Sequence, residues 1–176
     1  MIQTDRNIYG LLANVLEYPT SEIAGQAEAC SSSLGVVCGQ AQGCFDGFKE
    51  FCRKNPLSRL EELYTDTFDL QAICCPYVGF HLFGEDRTRG MFMVKLKEHC
   101  YSAGNYPVNG ELPDHISVML RYLSFAVRGD DTRDLISSCL IPAVEKMIPL
   151  FKSNGNPYQG VLQATLKVLE TERDRL

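Results

Sequence analysis

Long hydrophobic runs are absent from this sequence, and their absence excludes an integral membrane protein built on helices. The longest apolar stretches fall far short of the roughly 20 residues that a membrane-spanning helix needs. A secretory leader is absent as well, because the chain opens Met-Ile-Gln-Thr-Asp-Arg-Asn, with no basic segment followed by an apolar one. We therefore expect a cytoplasmic protein that does not insert into a membrane.

Positive charge is in short supply. The chain has 17 Lys and Arg residues against 22 Asp and Glu residues, which gives a formal net charge of −5. Proteins that bind nucleic acid need a basic surface to meet the phosphate backbone. The charge therefore argues against DNA or RNA as the partner and is compatible with a cationic peptide.

Signatures of catalysis and nucleotide binding are also missing. The sequence contains neither the Gly-x-Ser-x-Gly turn of a serine hydrolase nor a glycine-rich phosphate loop. Asp114 and His115 are adjacent, and neighbours on a helix point about 100° apart, so they make a poor carboxylate–imidazole pair. We predict that His115 is a structural cap or a ligand contact rather than a catalytic base.

Cysteine, in contrast, is abundant, with eight residues. No Cys-x-x-Cys pair is present, and without an export signal a reducing compartment is expected, so we predict free thiols. Half of the cysteines fall at core-facing positions of helical patterns: Cys44, Cys52, Cys100 and Cys139. A small metal or redox protein is an alternative, and its candidate ligands are Cys74, Cys75, His81, His99 and Cys100.

Helical periodicity runs through almost the whole chain, whereas no alternating strand and no internal repeat are found. With 176 residues, 45% of them hydrophobic, the chain fits one domain. We predict an all-α bundle of about seven to nine helices in a single domain, 1–176. The predicted helical segments are 4–17, 22–30, 42–54, 56–69, 89–103, 113–128, 135–151 (kinked or split at Pro142 and Pro149) and 161–169.

The segment 113–128 is predicted to be a buried central helix around which the others pack. Pro113 suits a first helical position, and apolar residues cover nearly the whole circumference, which is typical of a buried helix. Its polar residues are spaced by threes and fours and form one narrow seam: Asp114, Ser117, Arg121, Ser124 and Arg128. This seam, beside an acidic and imidazole-bearing tip, predicts a binding site at the start of the helix.

Two irregular segments flank this tip: an ordered loop at 70–87 and a turn at 104–112. Acidic residues cluster near both segments: Glu62, Asp66, Asp69, Glu85, Asp86, Glu111 and Asp114. A solvated acidic surface is the ordinary interpretation, above all for the first three. The alternative is a groove for a basic, amphipathic peptide, whose apolar side chains pack on Tyr64, Phe68 and Phe83 and whose arginines meet the carboxylates.

Four motifs, in this order along the chain, resemble one known family. They are Leu16-Glu-Tyr-Pro19, Leu63-Tyr-Thr-Asp-Thr-Phe-Asp69, Leu82-Phe-Gly-Glu-Asp-Arg-Thr-Arg-Gly90 with Met93-Val94 after it, and Glu111-Leu-Pro-Asp-His115. Together they resemble the NarJ group of assembly chaperones for respiratory nitrate reductase, within the wider TorD/DmsD/NarJ group of redox-enzyme maturation chaperones. The resemblance spans roughly residues 8–128.

This resemblance implies an all-helical chaperone without catalytic turnover and without a cofactor of its own. The implied partner is the N-terminal segment of a molybdenum oxidoreductase's catalytic subunit, held until the molybdenum cofactor and iron–sulfur clusters are inserted. We expect a monomer or weak homodimer. The groove hypothesis and the resemblance together give the predicted peptide-binding residues, which are Tyr64, Phe68, Asp69, Pro76, Phe83, Glu85, Arg87, Arg89, Glu111, Pro113, Asp114, His115 and Arg121.

Three features depart from the family pattern. Arg121 stands where a glutamate is expected in nitrate reductase chaperones, which favours a different molybdenum reductase as the client. The chain ends at Leu176 without the long tail of some NarJ proteins, so functions of that tail are not expected. The Cys74-Cys75-Pro76 sequence is not a family feature. A helical adaptor for an unrelated partner is a further alternative.

Overall fold

The computed structural model describes residues 2–69, 72–102, 110–152 and 155–175, and of residues 2–6, 101 and 102 only the backbone. Within these ranges the chain is built from helices, and the prediction of an all-α fold is confirmed. None of the described helices is both long enough and apolar enough to cross a lipid bilayer. The α-helices are α1 (Ile2–Val15), α2 (Ile23–Val37), α3 (Gly39–Lys54), α4 (Leu57–Phe68), α5 (Val78–Phe83), α6 (Arg87–Ser102), α7 (Ile116–Phe125), α8 (Asp130–Asp134), α9 (Ile141–Met147) and α10 (Tyr158–Arg173).

The helices pack as a series of neighbouring pairs. α7 packs on α1, α1 on α2, α2 on α3, α3 on α10, α10 on α9, and α9 on α5. The buried residues recur at a spacing of three or four, as on α3, where they are Ala41, Phe45, Phe48 and Cys52. The burial of apolar surface stabilises a fold by about 25 cal/mol per Å². These buried helix faces are therefore the main contribution to stability.

The predicted central helix is shorter than predicted, because α7 spans Ile116–Phe125 rather than 113–128. Its first turns are buried, as predicted, but Val127 is 82% exposed. The prediction that Pro113 opens the helix is wrong. The segment 114–116 instead pairs with 76–78 in an extended conformation, so the helix cannot begin before residue 116.

The prediction of an ordered loop over 70–87 is wrong in part, because Val78–Phe83 form the short helix α5. A helix of six residues is too short for a period of 3.6 to be recognised in the sequence. Gly84 follows it with a φ of 70°, in the left-handed region that favours glycine. Residues 70 and 71, and most of the turn predicted at 104–112, lie outside the described residues.

The prediction that Pro142 and Pro149 interrupt the pattern after residue 130 is confirmed. α8 continues into a π-helical stretch at Leu135–Leu140, and α9 then begins with Pro142 in its first turn. Pro149 lies in a 3-10 turn at Ile148–Phe151. A proline lacks an N–H and its ring collides with the preceding turn, so the chain widens or tightens around it.

Candidate functional site

A cleft of about 380 Å³ lies beside His115, immediately before α7. Nine residues line it: Glu17, Tyr18, Tyr64, Phe68, Asp69, Pro76, Tyr77, Glu111 and His115. Six of these are among the predicted peptide-binding residues: Tyr64, Phe68, Asp69, Pro76, Glu111 and His115. The structure therefore brings the aromatic and acidic motifs into one hollow, although they are far apart in the sequence.

Aromatic rings form one wall of the cleft. Tyr64 and Phe68 lie one turn apart on α4, with ring centroids 5.1 Å apart, and Tyr18 meets Tyr64 edge-on at 5.4 Å. Both α4 rings also contact Tyr158 of α10, at 6.0 and 4.9 Å, which makes the wall continuous with the core. Tyr18 is 53% exposed, so a ligand can reach it without disturbing the core. Such aromatic pairs present a rigid apolar surface.

A short antiparallel pairing between segments 76–78 and 114–116 builds another part of the cleft. Two backbone hydrogen bonds of 2.8 and 2.9 Å join the segments, and they place Tyr77 opposite His115, with ring centroids 5.4 Å apart. The Tyr77 hydroxyl donates to Glu111 (3.3 Å). Burial, with the charge of Glu111, raises the pKa of Tyr77 to about 12, so the phenol remains a donor at neutral pH.

A buried ion pair supports this part of the cleft from behind. The Asp114 carboxylate, which is 0% exposed, accepts from Nε (2.8 Å) and Nη2 (3.4 Å) of Arg89. The guanidinium also lies over the ring of Tyr77, 5.3 Å from its centroid. A Cβ at Gly79 would come within 2.7 Å of the Asp114 carboxylate, so glycine is required beside the pair. Asp114 and Arg89 therefore do not line this cleft but lie behind it, where they hold the segments that do.

His115 caps α7, as predicted from the sequence. Its Nδ1 accepts from the Ser117 N–H (3.2 Å) and lies 2.7 Å from the Ser117 hydroxyl. A backbone N–H can only donate, so Nδ1 is the acceptor and the neutral ring carries its hydrogen on Nε2. Burial lowers the pKa of His115, and the nearby carboxylates, first Glu111, oppose that shift only in part.

The pH dependence of stability tests this neutral state of His115. A histidine whose pKa in the folded protein lies below its ordinary value of 6.5 binds fewer protons folded than unfolded. The stabilisation that the neutral His115 ring gives the folded protein is therefore complete above pH 6.5. It is lost as the pH falls through the lower pKa of the folded protein. We expect the free energy of unfolding to decline between about pH 7.5 and about pH 5.5, by at most about 1.4 kcal/mol per pH unit for this one proton.

Urea titrations of the wild type and of His115→Asn at both pH values check this expectation. The asparagine amide oxygen can still accept from the Ser117 N–H, so the variant keeps a cap and loses only the titrating group. Its decline with pH should be shallower than that of the wild type. His81 adds a residual decline of the same sign in both proteins, because burial lowers its pKa too. Identical declines would show that His115 is not the linked group.

The remaining lining residues make the cleft acidic. Glu17, Asp69 and Glu111 contribute three carboxylates, and no Lys or Arg is among the nine residues. Neutral His115 adds no positive charge. Arg121, which does not line the cleft, offsets part of the negative charge through a 2.6 Å contact with Glu17. A cleft with this balance favours a cationic ligand.

The other predicted residues do not line this cleft; they are Phe83, Glu85, Arg87, Arg89, Pro113, Asp114 and Arg121. Glu85 and Arg87 are exposed around the start of α6, and the Phe83 ring packs against Phe92 at 5.4 Å. Pro113 lines a different cleft. The structure thus brings six of the thirteen predicted residues into the acidic cleft and places the other seven outside its lining.

Three cleft residues are missing from the sequence prediction: Glu17, Tyr18 and Tyr77. The first two lie in the motif Leu16-Glu-Tyr-Pro19, which contributes to the family resemblance but was not predicted to bind a ligand. An exposed acidic and aromatic pair at a helix end was a signal for ligand contact. For Tyr77 the only signal was its position next to Pro76.

A second cleft, of about 450 Å³, lies between α6, α7 and the segment from α8 to the π-helical stretch. Its floor is apolar, but its rim carries charges of both signs, Lys95 on one side and Asp131 and Asp134 on the other. Its charges are therefore mixed, whereas the charged residues that line the acidic cleft are all carboxylates.

The cysteines are free. Burial raises the pKa of Cys74 to about 12 and that of Cys100 to about 11, so these thiols stay protonated at neutral pH and are poor nucleophiles and poor metal ligands. In the part of the chain that the structure describes, no group of three or more His, Cys, Asp or Glu side chains is placed to hold a metal ion. Within the described ranges, therefore, the predicted ligands Cys74, Cys75, His81, His99 and Cys100 form no such group.

More than half of the sequence, residues 39–147, matches the family model described as nitrate reductase delta subunit. The chain belongs to the nitrate reductase delta subunit family. Seven of the nine residues that line the acidic cleft lie inside the matched segment, and Glu17 and Tyr18 precede it.

Individual members and relatives agree with this assignment. The chain is 25% identical over 173 residues to the nitrate reductase molybdenum cofactor assembly chaperone NarJ of Bacillus subtilis, which covers 97% of this chain and 92% of that protein. It is 24% identical over 170 residues to NarJ of Escherichia coli K12, and the match covers 93% of this chain and 70% of that protein. The nitrate reductase-like protein NarX of Mycobacterium tuberculosis is 29% identical over 128 residues, 73% of this chain but 19% of its own length.

A solved structure shows the same fold. The redox enzyme maturation protein from Archaeoglobus fulgidus superposes with a TM-score of 0.67 at 22% sequence identity, and the match covers 94% of this chain and 93% of that one. This likeness shows the fold. The family match and the NarJ relatives confirm the NarJ-like resemblance that the four motifs predict.

Proposed function

We propose that this protein is an assembly chaperone for a molybdenum oxidoreductase and that its acidic cleft binds the N-terminal segment of the catalytic subunit. Binding holds that subunit until its molybdenum cofactor and iron–sulfur clusters are in place. The protein makes and breaks no bonds in this function. The names of the NarJ relatives support the chaperone role. The peptide site and the timing are inferred from the geometry of the cleft.

The observation that carries the peptide proposal is the combination of an aromatic wall with an acidic rim. Tyr18, which packs edge-on against the buried Tyr64, offers a rigid apolar surface, while Asp69 and Glu111 place carboxylates beside it. A basic, amphipathic segment is complementary to both features, since its apolar side chains can cover the rings and its arginines can meet the carboxylates. A neutral or acidic segment can cover the rings, but it has no positive charge to meet the carboxylates.

The rim carboxylates give the selectivity, and the exposed ring of Tyr18 adds an apolar contact that does not depend on charge. The carboxylate of Asp69 is exposed and that of Glu111 is on an exposed residue, so their attraction for a cation is screened by water and salt. Aromatic contacts are much less sensitive to salt. Binding should therefore weaken as salt rises but persist at high salt, which a purely electrostatic association would not do.

Calorimetric titration with a synthetic peptide tests the proposal. The peptide carries two adjacent arginines followed by an apolar helical stretch, and a second peptide has glutamines in place of the arginines. We expect the wild type to bind the arginine peptide, and the Glu111→Gln and Asp69→Asn variants each to bind it about threefold to fivefold more weakly. Tyr18→Ala should weaken both peptides, because it removes an exposed ring from the wall.

Glu145→Gln is the matched control, because Glu145 is exposed on α9, lies outside the cleft and changes the net charge by the same amount. Its affinity for the peptide should equal that of the wild type. An equal loss in Glu145→Gln and Glu111→Gln would mean that net charge, not this cleft, attracts the peptide. Tyr18→Ala is preferred to Phe68→Ala, because Phe68 is buried and its removal would also destabilise the fold.

A further inference from the structure

We infer that Glu17 and Asn14 form a subsite for a guanidinium group at the edge of the acidic cleft, and that Arg121 occupies it until a ligand arginine displaces it. This inference rests on the proposed peptide-binding function and adds a ligand class and a means of control. It makes Arg121 an internal competitor for the peptide, although Arg121 does not line the cleft.

The contacts of Arg121 show what the subsite accepts. One nitrogen, Nη2, donates both to Oε1 of Glu17 (2.6 Å) and to Oδ1 of Asn14 (3.0 Å). The carboxylate and carboxamide oxygens meet the two N–H groups of one terminal nitrogen, and a guanidinium, unlike an ammonium, has a second terminal nitrogen that can reach the other oxygen of the carboxylate. Glu17 also lines the cleft, so the group that binds Arg121 is within reach of a ligand there.

The internal pair is built so that it can exchange. The side chains of Arg121 and Glu17 are 31% and 32% exposed, so water screens their attraction and can solvate either group when they separate. Among the described residues Glu17 uses only Oε1 toward Arg121, whereas a guanidinium can bind a carboxylate through two parallel bonds. An arginine that enters from the cleft can therefore form a stronger arrangement than the one it replaces.

The Arg89–Asp114 pair provides the contrast within the same molecule. Asp114 is completely buried and accepts from two nitrogens of Arg89, and no ligand can reach it through the cleft. The Arg89–Asp114 pair is thus enclosed and stabilises the fold. The Arg121–Glu17 pair is partly exposed, is joined by one hydrogen bond, and uses a carboxylate that also lines the cleft. The difference in exposure and in bonding separates a structural pair from an exchangeable one.

The Arg121→Gln variant tests the exchange in the calorimetric titration described above. Removal of the competitor frees Glu17, so the arginine peptide should bind about threefold to fivefold more tightly than to the wild type, and with a steeper salt dependence. For a peptide with lysines in place of both arginines, the increase in affinity from the wild type to Arg121→Gln should be smaller. The added substitution Glu17→Gln should abolish the gain, since it removes the group for which peptide and Arg121 compete.

Arg59→Gln is the matched control, because Arg59 also pairs with an exposed glutamate, Glu62, through one nitrogen at 2.9 Å, but outside the cleft. Its affinity for the peptide should not change. Unchanged or weaker binding to Arg121→Gln, with the wild type still binding, would overturn the exchange and leave the proposed function standing. If neither protein binds the arginine peptide, the proposed function fails and the inference fails with it.

Discussion

Arg89→Ala should lower the free energy of unfolding by about 3–5 kcal/mol, because it strands the buried Asp114 carboxylate without a counter-charge. The carboxylate is 0% exposed, and the two side-chain donors that reach it within the described part of the chain both belong to Arg89. The substitution also removes the cation over the Tyr77 ring. Chemical denaturation followed by circular dichroism measures the change directly.

The exposed pair Arg59–Glu62 supplies the control for this prediction. Arg59→Ala removes an arginine of the same type from a pair whose side chains are 51% and 64% exposed, and should cost at most about 1 kcal/mol. The double variant Arg89→Ala, Asp114→Ala should lose less free energy of unfolding than the two single variants lose together. Each single change leaves the other charged group unpaired, and the double change does not. Equal costs for Arg89→Ala and Arg59→Ala would refute the structural role given to the buried pair.

Gly160→Ala should destabilise the fold by about 1–3 kcal/mol or more, although alanine normally favours a helix. Gly160 lies in the first turn of α10, where a Cβ would collide with the carbonyl oxygen of Cys44 on α3. A backbone carbonyl cannot swing aside as a side chain can, so the two helices must separate. That separation would disturb the packing of α3 on α10 along its length.

Gly47→Ala is the control with the opposite expected sign. Gly47 lies in the interior of α3, is exposed, and has nothing within 4 Å of the position that an alanine methyl group would take. Alanine there should raise the free energy of unfolding by about 0.5–1 kcal/mol, since glycine weakens a helix interior. Thermal and urea unfolding of the two variants, measured side by side, test whether close helix approach decides the outcome. If both variants were more stable than the wild type, there would be enough space between α3 and α10 for the added methyl group.

The fold was predictable because helical periodicity is a local property of the sequence. α1, α3, α4 and α10 all carry strong stripes of apolar residues, and the prediction finds each of them. The errors occur where distant segments decide the local structure. α7 begins late because 114–116 pairs with 76–78, and α2 continues past Cys30 because Ser31 is buried and bonds to Asp46 on α3 (3.2 Å).

The candidate site was predictable only in part, for the same reason. The Tyr64 and Phe68 spacing on one helix face, and the acidic residues beside them, are visible in the sequence. Whether a carboxylate is free or paired is not, since Asp114 meets its partner Arg89 across 25 residues and Glu17 meets Arg121 across 104. The resemblance marks the motifs, but it does not tell which of their residues line the cleft and which lie behind it.

The acidic cleft is assembled from segments near residues 17, 64–69, 76 and 111–115, so it closes several chain loops at once. None of these segments contributes more than part of the hollow, and each loop closure carries an entropic cost that local helix formation does not repay. During synthesis, therefore, the cleft cannot exist until the ribosome has released the chain as far as His115. Under the proposed function, the protein can therefore bind its client only after segments from both halves of residues 17–115 have come together.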